Sequence, residues 1–511
     1  MDAPNLTRRR LLASLPAALA AGAALAQDDA PQPLALPPQA AAAPGEVDVA
    51  IVGAGIAGLV AARRLSQAGR SVLVFEARDR VGGRTWSQEL APGVYAELGG
   101  TWVGPTQEHV LKLIDDLGLN LFAQPVQGDS VHFSRGERTT FAEKPPLGSV
   151  PPDPWIVPDF AVAGAWIDHV AAHIPPGQPW LAEDAEALDR ETLESWLRRR
   201  TLNLLGETGK NFAAGFEALF GAEAREMSAL FALHYVACAG TQGTPGSFGR
   251  LLNTRDGAQE RRIVEGAQAI CQRLAAAIGE ARVLLTDPVR RIVQDADGVL
   301  VFGDRQHVRA QRVIVAVPPP LAGRIEYQPP LPPARDQLTQ RLGMGWLIKC
   351  KAVYDTPFWR ADGLNGSAVI PDGPARSVFD LSPPDASCGI LLGFVGGDGA
   401  RSYSGRPDQL RAAVLDNFAA CFGDAARQPR EWRVADWGAE PWTRGCPTAI
   451  APPGLLTAYG PALTAAVDRI HWAGAETSDY WCGYMDGAVR SAHRAVGEVL
   501  NLLTGSNLET L

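Results

Sequence analysis

The residues with the clearest chemistry lie between Val47 and Arg84, VDVAIVGAGIAGLVAARRLSQAGRSVLVFEARDRVGGR. Gly53, Gly55 and Gly58 follow the β-branched run Val47, Val49, Ile51 and Val52, and they open a segment whose Gly58, Ala61, Ala62 and Leu65 recur at helical spacing. That pattern is strand, tight turn, helix. Gly53 permits the turn, Gly55 lets backbone approach a diphosphate and Gly58 allows the helix to pack closely, while the helix N-terminus presents its positive end to phosphate. Val72 to Phe75 reads as a second strand ending at Glu76, whose carboxylate is placed for the ribose hydroxyls of an adenosine. Three glycines alone are weak evidence. With the strand, the helix and the acid at these intervals they specify a dinucleotide site.

Two further stretches carry related chemistry. Ala77 to Arg84 (ARDRVGGR) puts two glycines and an arginine directly after the second strand, and the planar fork of an arginine can pair two phosphate oxygens at once. Far along the chain, Val434 to Val499 holds Trp437, Gly445-Cys446-Pro447, Pro452-Pro453-Gly454 and, from Asp468 to Arg490, DRIHWAGAETSDYWCGYMDGAVR. Ile470 to Trp472 reads as a strand with Gly474 and Glu476 at its end, and a helix from about Met485 carries Ala488, Ala492, Ala495, Val496 and Val499 on one face. ARDRVGGR resembles the flavin amine oxidase signature. The C-terminal stretch is similar to the monoamine oxidases of that superfamily, as is Arg312 to Phe358 with its PPLP element and LIKC. The resemblance runs from Val47 to Leu503.

It implies FAD. Gly83 and Arg84 would reach the diphosphate, and Tyr95 to Gly104 (YAELGGTWVG) would pass beside the isoalloxazine, with Gly99 and Gly100 giving close backbone approach and Thr101 and Trp102 in the same segment. Val289 would touch the adenine, Glu476 would accept from a ribityl hydroxyl, and the Met485 amide at a positive helix end would face the flavin N1/O2 edge. The resemblance puts Tyr484, Trp437 and Arg324 at the reacting end. Tyr484 matches one of two cage tyrosines, Pro447 stands where the other is expected, and Trp437 matches a tryptophan lying against the flavin. Arg324 aligns with a lysine that holds a water near N5, and Cys238 aligns with a glutamine of the pocket wall. These replacements lead to the expectation of a wider, less polar pocket in which a lysine-bound water is not assumed. Cys446 carries two readings, a thioether to the flavin 8α carbon or a free pocket thiol.

The elements that must hold these residues follow from the rest of the chain. With 511 residues, 46% apolar and 20% charged, it is long enough for two substantial cores. The expected fold is α/β: a Rossmann-like FAD domain with a parallel sheet, assembled from 46–120, 258–325 and 435–505, and an α+β substrate domain from 121–257 and 326–434. Strand patterns fall at Val283 to Leu285, Arg291 to Val293, Val299 to Phe302 and Arg312 to Val317; helical ones at Leu188 to Arg199, Lys210 to Leu219, Ala222 to Val236 and Pro407 to Phe422. Pro145 to Pro158 is a breaker-rich loop. The seven cysteines are scattered without CxxC spacing and form no disulfide framework. His169 and His173 lie four apart, but HVAAH lacks the glutamate of a zincin, so no metal is expected.

At the N-terminus, Thr7-Arg8-Arg9-Arg10-Leu11-Leu12 resembles a twin-arginine export motif, an apolar run follows, and Ala24-Leu25-Ala26 offers a cleavage site. Residues 1–26 are therefore read as a signal peptide taken by the twin-arginine export machinery to the periplasm, and 27–45 as a flexible Pro/Ala-rich linker. No other apolar run is long enough to span a bilayer, so no membrane anchor is expected in the mature chain. A net charge of −9 argues against nucleic acid. A homodimer is left open.

The reaction implied by the resemblance is oxidation of a neutral primary or secondary amine by hydride transfer to flavin N5, giving imine and then aldehyde, with O2 reduced to hydrogen peroxide. The competing enzymes are an L-amino-acid oxidase, which would need Arg324 or Arg444 to pair a carboxylate, and a polyamine oxidase, which would need acidic residues along a tunnel. A non-catalytic flavoprotein scaffold is the alternative from another class.

Overall fold

Gly45–Val52 forms strand β1, Ile56–Gln67 helix α1 and Val72–Phe75 strand β2, the order read from the glycine motif. The structure, a computed structural model, describes residues 45–505 apart from 144–147, 149, 152, 155 and 202–205. The twin-arginine segment, the cleavage site and nearly all of the linker lie outside the described residues, as do the terminal residues 506–511.

The first sheet runs in the order Val283–Leu284, β2, β1, His307–Val315, Val299–Phe302, Arg291–Gln294, Glu326–Gln328, and Ile470–Trp472 also pairs with His307–Val315. The strands around β1 are parallel, and Val299–Phe302 lies antiparallel to both of its neighbours. Both faces of β1 are covered, which is why Val49 to Val52 are all buried and read as a continuous apolar run without alternation. On one face α1 packs against the helix Met485–Thr504 through small residues, Ala57, Ala61 and Ala62 meeting the same core as Ala488, Ala492 and Ala495. A Cβ at Gly58 would collide with the Gly53 carbonyl, so the third glycine serves close packing of turn and helix.

The second sheet has seven strands, Glu431–Asp436, Leu347–Tyr354, Gly389–Gly396, Ser377–Asp380, Leu364–Val369, Asp129–Ser134 and Glu137–Phe141 in spatial order. One rung crosses it through Lys349, Phe394, Ser377, Val369 and His132. The opposite face is closed by the helix Pro407–Phe422, whose Val414 and Phe418 share a core with Ile348, Cys350, Val378 and Val131.

Two helical expectations need correction. Leu188 to Arg199 is two short helices, Ala185–Asp189 and Leu193–Arg198, because Thr192 caps the second by accepting from the Ser195 amide at 3.1 Å. Ala222 to Val236 is helical only over Ala229–Ala237, where Ser228 caps the start by accepting from the Phe231 amide at 3.1 Å. Periodicity carried both patterns across a cap that begins a new helix. All seven cysteines are buried and unpaired. Among the described residues no helix is long and apolar enough to cross a membrane, and no His, Cys, Asp and Glu group could hold a metal.

Candidate active site

A single cavity of about 600 Å³ joins the two sheets. At one end it is lined by Gly53, Gly55, Ile56 and Ala57 of the turn and first helical residues, with Glu76 at the end of β2 and Gly83 beyond it. The first-turn amides of a helix have no intrahelical partner, so those of α1 open onto this space as donors. A Cβ at Gly55 would meet nothing nearer than the Gly82 carbonyl at 4.0 Å, and Gly83 sits at φ +57°, which keeps its backbone against Gly55. Glu76 accepts from the Ala54 amide at 2.8 Å and the Arg78 amide at 2.9 Å, which holds its carboxylate at the wall. Free helix amides, glycine-lined backbone and a fixed acid suit the diphosphate and ribose of a dinucleotide. Val289 lines the same end.

The middle of the cavity is where the distant stretches meet. Gly99, Gly100, Thr101 and Trp102 face Gly474, Ala475, Tyr484 and Met485 across it, and Trp437 and Cys446 complete this zone. Trp437 is fixed by donating Nε1 to the Leu98 carbonyl at 2.8 Å and stands edge-on to Trp86. Arg84 donates to both oxygens of Glu476 at 2.5 and 2.9 Å and to the Pro447 carbonyl at 2.8 Å, tying the first motif to the last. Burial opposes the charge of Glu476, but Arg84 more than offsets it and holds the carboxyl below its usual range.

Three expectations change here. Glu476 does not line the cavity: its oxygens are taken by Arg84, the Thr448 hydroxyl and the Ala449 amide, so it orients Arg84 from behind. Arg324 is exposed and lines the cavity with Pro318, Leu321 and Ile325. The cavity still has a buried lysine, Lys349 of LIKC, which donates to the Gly99 carbonyl and to Thr101 Oγ1 at 3.3 Å. Burial pulls its ammonium down to about 8, against the raising influence of Cys446 and Glu97. LIKC was quoted in the sequence only as a family feature; its alternation on a strand was the available signal that Lys349 and Leu347 share a face. Cys238 lies off the cavity with its sulfur 3.1 Å from His234 Nε2, and Tyr235, three residues earlier on the same helix, lines it instead.

Tyr235 was missed by the sequence reading. Its ring centroid is 5.7 Å from that of Tyr484, and burial raises both phenols well above their ordinary value, with each acting on the other. Gly483, at φ +81°, makes room: a Cβ there would stand 2.9 Å from the Tyr235 hydroxyl and 3.0 Å from Thr448 Oγ1. Tyr235 thus brings a second phenol beside Tyr484, next to the segment where Pro447 replaces the expected one. Cys446 is the one cysteine lining the cavity, and burial pushes its thiol up to about 12, with Lys349 and Arg84 pulling the other way.

Beyond this zone the cavity opens into a chamber over the second sheet, walled on the far side by Phe160, Phe212, Leu219, Phe248 and Leu251. Phe160 and Phe212 stack at 4.2 Å. The chamber is apolar and aromatic where the other end is glycine and arginine.

Comparison with known proteins gives consistent matches. The family model described as flavin containing amine oxidoreductase matches residues 56–500. A putative flavin-containing monoamine oxidase, AofH, of Mycobacterium tuberculosis is 41% identical over 461 residues, covering 90% of this chain and 98% of the relative. An L-amino acid dehydrogenase of Synechocystis is 35% identical over 481 residues, covering 91% and 98%. Among solved structures, cyclohexylamine oxidase from Brevibacterium oxydans superposes with a TM-score of 0.84 at 34% identity, covering 90% of this chain and 99% of that one.

Proposed function

The chain belongs to the flavin-containing amine oxidoreductases and is an FAD-dependent enzyme that oxidises amines, and from that premise we propose that a primary or secondary amine is converted to an imine, then to an aldehyde, with O2 reduced to hydrogen peroxide. The observation that carries this reading is the unbroken cavity from the α1 amides to the aromatic chamber, with Tyr235, Tyr484 and Lys349 at the junction. The chemistry FAD would supply there is acceptance of a hydride from the substrate α-carbon and delivery of the electrons to O2.

The protein's own residues do the rest. Gly53, Gly55 and the α1 N-terminus hold the diphosphate, Glu76 the ribose, and Arg84, braced by Glu476, supplies charge where the two halves of the cofactor site meet. An amine in water carries a proton with a pKa of about 10, as lysine does. A dry chamber of phenylalanines and leucines disfavours the ammonium, so the amine is held neutral and its nitrogen lone pair is available without a strong general base. Tyr235 and Tyr484 flank it and fix its orientation. Lys349 is a buried residue able to hold a water beside the reacting edge, the role the family pattern gives to a lysine. The Met485 amide, at the positive end of a long helix, stabilises negative charge developing next to it.

The test is anaerobic mixing of holoenzyme with amines and amino acids. Bleaching of the yellow colour by simple amines, with peroxide release once air is admitted, is the expected result; no bleaching by any of them overturns the reading in favour of a non-catalytic scaffold. A second reading, oxidation of L-amino acids, draws on the likeness to the Synechocystis enzyme and on Arg444, which lines the cavity; bleaching by amino acids alone selects it. Cys446 is the thiol a covalent link would use, and colour retained in an acid precipitate marks one. We further read residues 1–26 as a twin-arginine signal and the mature enzyme as periplasmic, which cell fractionation checks; size-exclusion chromatography of the holoenzyme reads whether it is a homodimer.

A further inference from the structure

Two helices begin side by side behind the cofactor zone. Met485–Thr504 starts at the cavity wall, where Met485 and Ala488 line the space, and Glu108–Asp116 starts against it. Two ties hold these starts together. Trp481 donates Nε1 to the Thr106 carbonyl at 3.0 Å, and Asp486, the second residue of the long helix, accepts from the Val110 amide at 2.8 Å. Gln107, directly before the shorter helix, supplies no side-chain cap, so the cap comes from Asp486, 376 positions away. A Cβ at Gly487 would stand 2.3 Å from the Trp481 carbonyl, so the first turn of the long helix is closely seated.

The carboxylate in that cap stands without a cation bonded to it. Asp486 is 1% exposed, and Arg490, one turn along its own helix, is taken by both oxygens of Asp479 at 2.9 Å each. What holds the charge is the positive N-terminal end of Glu108–Asp116. Capping alone calls for no charge, since Ser, Thr or Asn accepts an amide bond as well, and burying a carboxylate without an ion pair is costly. The charge therefore calls for a second role, and its position names one. Asp486 lies in the first turn of the helix whose positive end, at Met485, is turned to the cofactor, so it subtracts from the field presented there.

We propose that Asp486 is a positioning residue whose charge sets the reduction potential of the bound FAD: it fixes the start of the long helix against its neighbour, and it lowers the potential by offsetting the positive helix end. This rests on FAD filling the cavity and not on which amine is oxidised. Without the carboxylate the helix end would stabilise the reduced, negatively charged cofactor more strongly and hold its electrons back from O2. A unit charge about 10 Å from another, at an effective dielectric constant of about 20, shifts an equilibrium about tenfold. Burial lifts the Asp486 carboxyl to about 6, with the Val110 amide and Arg490 pulling the other way. The groups around it are Arg490 and His493 on its own helix and Glu108 and His109 on the neighbouring one, with Arg64 acting on both histidines and Asp479 on His109. Burial lowers both imidazoles, His493 to about 4.

The experiment measures the reduction potential of the holoenzyme against a reference dye with a chemical reductant, so the result does not depend on any amine being turned over. Asp486→Asn keeps an oxygen that accepts from the Val110 amide and removes the charge. The expected result at pH 8 is flavin content and melting temperature close to wild type, with about a tenfold shift of the equilibrium toward reduced cofactor, or about 30 mV upward for a two-electron couple. Asp486→Ser, a second neutral cap, is expected to shift it in the same direction. Asp486→Ala, which loses the cap as well, is expected to add a lower melting temperature. The gap between wild type and D486N should close as the pH falls below about 6, where the wild-type carboxyl is itself protonated. A potential that both neutral caps leave unmoved, a gap that persists undiminished at pH 5, or loss of flavin from both variants overturns the inference. Failure to oxidise any amine would instead remove the reading of the enzyme's function and leave this measurement standing.

Discussion

The two ends of the cavity are built on different principles. The dinucleotide end is made largely of backbone: glycines that admit close approach and helix amides, with ion pairs behind them, among them Arg84 with Glu476, which joins residues 392 positions apart. The chamber end is made of side chains contributed by several helices on one wall and a strand face on the other. Backbone donors are fixed by the fold and tolerate little change, whereas a wall of Phe, Leu and Ser can be reshaped one residue at a time. Substrate choice therefore belongs to the chamber, and cofactor binding to the part that cannot vary without disturbing the sheet. Lys349 and the Tyr235–Tyr484 pair stand on the boundary and should respond to changes of both kinds.

The sharpest test of that contrast is Arg84→Met. It leaves the Glu476 carboxylate buried and without its charge partner, which costs about 3 to 5 kcal/mol in comparable buried pairs. The expected outcome is a colourless or FAD-depleted protein with a strongly lowered melting temperature, read by the visible spectrum after gel filtration and by thermal denaturation with and without added FAD. A variant that keeps its full flavin content would show that the cofactor is held without this link, and the two ends would no longer differ in kind.

Next in size is a pH effect at the boundary. Lys349 has its ammonium lowered to about 8 from an ordinary 10.5, first by burial. Between those values the unfolded chain binds a proton that the folded chain does not, so stability rises with pH across the window and is unaffected by this group below it. At about 1.4 kcal/mol per unit the gain is up to about 3 kcal/mol. Denaturant titrations at a series of pH values should show the wild type gaining on Lys349→Met from pH 8 upward. Parallel curves for the two proteins would mean that Lys349 is solvated, and the junction would have to be regarded as wet.

What the sequence made legible follows the same division. Gly53, Gly55, Gly83 and Arg84 could be read because a dinucleotide cradle is one local stretch with fixed spacing, and spacing survives in one dimension. The strands Val72–Phe75 and Ile470–Trp472 matched their patterns because buried parallel strands are short apolar runs. Tyr235 and Lys349 could not be read the same way. Each belongs to the site only because a helix end and a strand face from separate segments converge, and nothing local distinguishes Tyr235 from Phe231 one turn earlier. Arg324 is the converse case: alignment to the family pattern picks it out, and the structure places it, exposed, on the cavity wall after Pro318. Glu476 lies behind the cavity wall, where its partner decides its role, and a partner 392 residues away is invisible to spacing.

The smallest expected effect is the one that separates geometry from mere packing at the boundary. Tyr235→Phe removes a hydroxyl and keeps the ring that packs against Phe220 at 4.7 Å, so stability should change little. What is lost is the polar interaction with the neighbouring Tyr484 phenol, worth up to about 1 kcal/mol for a neutral pair. A Tyr484 free to rotate should raise KM roughly fivefold, the equivalent of that energy, with flavin content retained. Tyr484→Phe should produce a similar loss. If the two phenols act as one unit, the double variant costs no more than either single one, because the second substitution removes an interaction already lost. Strict additivity in steady-state kinetics would instead mean that each hydroxyl meets the substrate alone. The boundary would then divide into two independent contacts, one belonging to the cofactor segment and one to the chamber.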